Sequence, residues 1–177
     1  ATLGECKALA HLDLSGSRGG QHVGPEGARG MSQVLGSCKA LRFLGLRQNH
    51  IGDEGVKRVA VELERCEVLA HLDLGQNWIG ANGARVLAEA LRHCRALAHL
   101  DLEDNSIGAD GAASLAGVLG HCKGLAHLNL RNNEIGDAGA RRLVAVLGQG
   151  QTLTLLDVRN NQIGDATARR FHQHFRR

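Results

Sequence analysis

The chain has 177 residues, 43% of them hydrophobic, and carries 21 basic and 18 acidic residues for a net charge of +3. That length suits one domain of ordinary size, and so even a charge balance argues against nucleic acid or an anionic membrane as a partner. No apolar run reaches the ~18 residues of a spanning helix and no secretory signal opens the chain. Aromatic residues are only 2%, so any core must be built from Leu, Val, Ile and Ala.

Residues 1–8 read as the tail of a preceding unit, because Leu3 aligns with Leu35, Leu63, Leu91, Leu119 and Leu147. The chain therefore starts part-way through a helix, without an initiator Met, and upstream sequence is expected. From Leu9 onward one frame recurs. It is plainest at Leu97, where Leu97, Leu100, Leu102, Asn105 and Ile107 spell L-x-x-L-x-L-x-x-N-x-I. The frame restarts at Leu41, Leu69, Leu125 and Leu153 with a period of 28 residues. Alternating Leu100 and Leu102 put apolar groups on one face of a short strand. Asn105 and its equivalents Asn49, Asn77, Asn133 and Asn161 can bond neighbouring backbone where the chain leaves the strand. One such strand cannot bury its apolar face alone, whereas stacked parallel copies can.

The first unit, 9–40, is longer than the rest. It carries a four-residue insertion between Ser15 and His22, and Ser17 replaces the ladder Asn. Such insertions map to a surface loop; some bind ligands, and a merely tolerated loop is the better reading. Units 41–68, 69–96, 97–124 and 125–152 share one plan. Ile follows the Asn, then a G-x-x-G pair such as Gly52 and Gly55, then apolar residues at helical spacing such as Ala84, Leu87, Ala88 and Leu91. The glycine pair resembles an RNA-clamping loop, but its recurrence in every unit points to turn geometry and close helix packing. Asp53, Asp110 and Asp137 are placed to cap their helices. In the last unit, 153–177, Thr167 replaces a glycine and Phe171 and Phe175 replace leucines, which predicts a C-terminal cap.

Cys6, Cys38, Cys66, Cys94 and Cys122 share one position, three residues before the first strand Leu, where the last unit has Gly150. An odd number of cysteines at one structural position is a ladder of buried thiols rather than a disulfide framework. Free thiols persist in a reducing compartment, so a cytoplasmic location is expected.

The outward strand positions form rows. The first reads His11, Phe43, His71, His99, His127, Leu155; the second Asp13, Gly45, Asp73, Asp101, Asn129, Asp157; the third Ser15, Arg47, Gly75, Glu103, Arg131, Arg159. Three stacked histidines could hold zinc, but repetition of one favoured residue on a solvated face explains them better, and no metal or cofactor is expected. His–Asp neighbours resemble general-base pairs, yet no nucleophile shares the face, so no catalytic residue is assigned. Trp78 occupies the variable position also held by His50, Ser106, Glu134 and Gln162, which places it exposed at the rim as a candidate hot spot. The candidate binding residues are thus Phe43, Arg47, His71, Asp73, Trp78, His99, Asp101, Glu103, His127, Arg131, Asp157 and Arg159.

With I-G-D-E-G-V at 51–56 and I-G-D-A-G-A at 135–140, the chain resembles the ribonuclease-inhibitor-like class of leucine-rich repeats, most of all the C-terminal repeats of NOD-like receptors. The resemblance runs from Cys6 to Phe175. It implies a right-handed α/β solenoid, a horseshoe arc with a parallel sheet on the concave face and helices on the convex face. It also implies a non-catalytic, monomeric module that binds a protein partner on the concave face, as the recognition region of a cytosolic protein in innate immunity. Ribonuclease inhibitor itself is longer and strongly acidic, a poor match. The alternative is a GTPase-activating module similar to the Ran GTPase activators, although no catalytic Arg can be assigned.

Overall fold

The computed structural model describes residues 7–16, 20, 22–147 and 152–175, without the side chains of 33, 34 and 175. Cys6, most of the insertion, Gly150 and the Phe175 side chain therefore lie outside the described residues. Six three-residue strands alternate with six helices among these residues. They are β1 (His11–Asp13), α1 (Gly24–Leu35), β2 (Phe43–Gly45), α2 (Gly52–Leu63), β3 (His71–Asp73), α3 (Ala81–Leu91), β4 (His99–Asp101), α4 (Gly108–Leu119), β5 (His127–Asn129), α5 (Gly136–Val146), β6 (Leu155–Asp157) and α6 (Asp165–Phe175). The strands form one parallel sheet in sequence order. Each is paired in register with the next, so Leu44, Leu72, Leu100, Leu128 and Leu156 line up. The product is an α/β repeat solenoid, with the sheet on the concave face and the helices on the convex one.

The core lies between the two layers. In the four frames that start at Leu41, Leu69, Leu97 and Leu125 the strand leucines and the Ile after the Asn are removed from water, as with Leu100, Leu102 and Ile107. Helices close on one another because the second glycine of each pair has no side chain. A Cβ at Gly111 would stand 2.6 Å from Ile107 Cγ2 and 3.0 Å from Ala84 Cβ of the preceding helix.

The asparagines do what their spacing predicts. The Asn105 Nδ2 donates to the carbonyls of Leu74 at 3.1 Å and Leu102 at 3.0 Å. Its Oδ1 accepts from the N–H of Asn77 at 3.0 Å and of Ile79 at 2.9 Å. Each Asn thus satisfies buried backbone groups in its own unit and in the one before, and Asn49, Asn77, Asn133 and Asn161 are equally buried. Cys38, Cys66, Cys94 and Cys122 are buried thiols outside any disulfide. The Cys94 Sγ lies within donating distance of the Ala90 carbonyl of its own helix at 3.5 Å and of Leu63, the last residue of α2, at 3.6 Å; the Cys122 Sγ stands likewise between Val118 at 3.4 Å and Leu91, the last residue of α3, at 3.6 Å. Each of these two thiols therefore sits between a carbonyl of its own helix and the last carbonyl of the helix one unit before.

Helix capping differs from expectation. The residues before α2, α3, α4 and α5 are Ile51, Gly80, Ile107 and Ile135, and none makes a side-chain capping bond. Asp53 instead reaches forward, its Oδ1 accepting from the Gly80 N–H at 2.7 Å, and Asp137 does the same for Gly164 at 3.0 Å. Where no such Asp precedes, the glycine N–H bonds the next Asn carbonyl, as Gly108 does to Asn133 at 2.9 Å, and takes a left-handed φ of 64°. Gly80, held by Asp53, sits at φ −94°, and α3 starts one residue later in its unit than α2 or α4. These carboxylates tie neighbouring units together rather than capping their own helices. At the C-terminal end Phe171 is buried, but Leu155 is 55% exposed and Leu156, Val158 and Ile163 are only half-buried. The ring of Phe171 covers part of that end.

Candidate functional site

A three-residue strand with a buried centre turns its first and third residues outward. This arithmetic puts His71 and Asp73, His99 and Asp101, and His127 and Asn129 on the concave face, each half-buried beside its neighbours. Register then assembles the rows. His11 stacks on Phe43 with ring centroids 4.1 Å apart, Phe43 on His71 at 4.8 Å, and His71 on His99 at 5.3 Å. His127 meets His99 edge-on at 4.3 Å. The histidines thus form a stack of rings rather than a convergent set of nitrogens. No group of three or more His, Cys, Asp or Glu among the described residues is arranged to hold a metal ion. Burial, then the neighbouring His127 and His71, hold the His99 imidazole below its ordinary pKa of 6.5.

The second and third rows are welded by one side chain. The Arg47 guanidinium crosses over β3 and donates to Glu103 Oε2 at 2.8 Å. On the way it passes 4.0 Å from Asp73 and 3.8 Å from Asp101. Gly75 leaves room for this path, since a Cβ there would overlap Arg47 Nη1. Burial works against the Arg47 charge, but Glu103, Asp73 and Asp101 outweigh it and raise its pKa. Asp73 shows the opposite balance: burial, and the like charge of Asp101, raise its pKa although Gly75 N–H and Arg47 oppose them. Arg131 pairs with Glu103 at 3.6 Å. Arg159 folds back on Asp157 of its own strand, donating from Nε at 2.9 Å and 3.0 Å. All three arginines of the third row are therefore already engaged within the face. Any acid that paired with one of them would have to displace a carboxylate already in place.

The row at the loop beyond the strands contains two features that single-position reading misses. First, Gln76 and Asn132 both donate to the Asp104 carboxylate, Gln76 at 2.9 Å, which lowers its pKa. The 28-residue spacing of Gln76, Asp104 and Asn132 was the available signal. Second, Trp78 is 66% exposed but not isolated. It stacks on His50 at 3.9 Å with planes 5° apart, and His50 in turn lies 3.8 Å from His22. Both His50 and Trp78 sit at left-handed φ, 53° and 60°, which sets their side chains side by side at the rim.

A shallow hollow of about 240 Å³ on the face is lined by His71, His99, Asp101, His127, Asn129 and Asp157, among others. It gathers five of the candidate residues together with Asn129 of the second row, while Phe43, Arg47, Asp73, Trp78, Glu103, Arg131 and Arg159 do not line it. No helix among the described residues is long and apolar enough to cross a membrane.

A family described as Leucine Rich repeat matches residues 37–60, 65–88, 93–116, 121–144 and 151–168, more than half of the chain. No curated protein matches. Among solved structures, the actin-binding site 2 of leiomodin-1 superposes with a TM-score of 0.70 at 16% identity, covering 86% of each chain. The tropomodulin C-terminal domain of Caenorhabditis elegans gives 0.71 at 13% identity, covering 86% of this chain and 92% of that one. At such identities the likeness establishes the fold alone.

Proposed function

Because the chain belongs to the leucine-rich repeat family, typically a protein-interaction module, we propose that it binds a protein partner on its concave face. In this reading it is the non-catalytic recognition region of a cytosolic protein of NOD-like-receptor type. One observation carries the proposal. The buried frame of Leu, Asn, Ile and Cys repeats almost unchanged, while the exposed rows change from unit to unit on a pre-formed surface. Fixed backbone with variable side chains supplies selectivity at low ordering cost. The GTPase-activating alternative lacks such support, since Arg47, Arg131 and Arg159 are each committed to carboxylates of the same face.

The test is a pull-down from cytosol, followed by affinity measurement on what is captured. Arg131→Glu with Arg159→Glu, and Trp78→Ala, are expected to weaken capture while the melting curve stays nearly unchanged. Arg85→Glu and Arg141→Glu on the exposed helix face are expected to leave it intact. The reverse pattern would assign binding to the convex side. The leiomodin-1 structure is named for an actin-binding site, so purified actin enters as a defined arm of the same experiment.

A further inference from the structure

We infer that the rim of the concave face holds a slot for an arginine side chain of the partner, formed by Trp78, Ser106 and Glu134. This inference rests on the protein-binding reading above. The rim row runs His22, His50, Trp78, Ser106, Glu134; His50 stacks flat on Trp78 and meets His22 at a tilt of 38°. The stack then stops. Ser106 offers only a hydroxymethyl group, and its backbone leaves the left-handed conformation shared by His50, Trp78 and Glu134. Ser106 instead pairs with Gly80 in a parallel bridge, its N–H donating to the Ile79 carbonyl at 2.9 Å.

One face of the indole is thus covered by His50 and the other is open over an empty rung. Glu134, two rungs from Trp78, stands roughly 10 Å along the row. It is exposed, and among the described residues it has no ion pair. A planar cation fits this gap: it can stack on the open indole face while its edge donates to the flexible Glu134 carboxylate. Arginine combines a flat, weakly hydrated cation with several donors in one plane, whereas lysine offers a point charge. Asp104, the acid nearer to Trp78 in sequence, is already held by Gln76 and Asn132 and so does not compete for the ligand.

Trp78 is the single tryptophan of the chain. Its emission and its one indole N–H resonance therefore report this slot alone. The probe is Nα-acetyl-arginine amide, with the uncharged acetyl-citrulline amide as its near-isosteric control. The arginine compound is expected to shift the indole resonance saturably and the citrulline compound not to. Glu134→Gln should weaken the response about two- to fivefold. Ser106→Phe, which puts a ring on the empty rung, should abolish it. Equal response to citrulline, or an unchanged response in Glu134→Gln, overturns the slot. Should Ser106→Phe alter the melting curve, Glu134→Gln decides alone. Capture of a protein partner lost in the Arg131/Arg159 variants but intact in Glu134→Gln would overturn the slot and leave the binding reading standing. A normal arginine response with capture untouched by every concave variant would do the reverse.

Discussion

Replacing Asn105 with Ala removes one side chain and exposes what it was holding. The amide serves two donors and two acceptors of the backbone beyond its own residue's neighbour: the N–H groups of Asn77 and Ile79, and the carbonyls of Leu74 and Leu102. The site is buried, so water cannot replace every lost partner. A buried polar group left bare costs about 1–3 kcal/mol. The two N–H groups, which have no second acceptor, set the scale, and the loss is expected at about 2–5 kcal/mol after partial relaxation. Urea unfolding followed by circular dichroism measures it, with Asn132→Ala as control. Asn132 is an exposed amide that binds the Asp104 carboxylate, and because its left-handed φ of 55° suits Asn better than Ala its loss is expected to cost about 1 kcal/mol. Equal costs for the two variants, or less than about 1 kcal/mol for Asn105→Ala, would refute the accounting.

Three further outcomes follow from the same structure. Gly75→Val should force Arg47 away from Glu103, and Glu103→Gln, left with only its Arg131 pair to lose, should then cost less in that background than in the native chain, a non-additivity readable in a double-mutant cycle. Burial pushes the Cys94 thiol up to about 12 and the Cys122 thiol to about 11. A thiol reagent at pH 8 should therefore leave them unmodified in the native chain, while the denatured chain yields all 5 cysteines. Because the native His99 binds its proton more weakly than the ordinary pKa of 6.5 allows, the unfolded chain takes up more protons just below that value. Stability should thus fall as pH drops from about 6.5 through the lower native pKa, and His99→Asn should flatten that slope in thermal melts. A slope unchanged by the substitution would remove His99 as its cause.

Much of this was legible in the sequence because a solenoid converts spacing directly into neighbourhood. Once Leu41, Leu69, Leu97, Leu125 and Leu153 set the period, the strand register, the Asn ladder, the thiol ladder and the three concave rows all follow by counting. What counting did not reveal is how long side chains settle within a row. Arg47 reaches a carboxylate two strands away, and nothing in its own unit signals that; the available clue was Gly75, the one position of the third row without a side chain. The reach of Asp53 was misjudged for a related reason. Its position in the first turn suits capping, but the backbone there already satisfies itself, so the carboxylate serves the next unit's Gly80 instead. The Trp78 stack needed the left-handed backbone at His50 and Trp78, which two non-glycine residues do not advertise.

The coupling through Arg47 changes how variation on the concave face must be understood. If each exposed position were independent, any row could be rewritten one residue at a time at little cost, since the buried frame carries the stability. Here Arg47, Gly75, Asp73, Asp101 and Glu103 form one group spread over three strands, and Arg131 is attached to it through Glu103. Substituting any acid leaves Arg47 half-buried with fewer counter-charges, and filling Gly75 expels it. The face is therefore pre-organised in blocks, and a partner's basic group would have to displace a guanidinium already in place. The rim differs. There the Trp78 ring is covered on one side only and Glu134 is unpaired among the described residues. A cation arriving at the rim gains contacts without first breaking any, which is why the concave centre sets shape and exclusion while the rim is the better place for a partner to anchor.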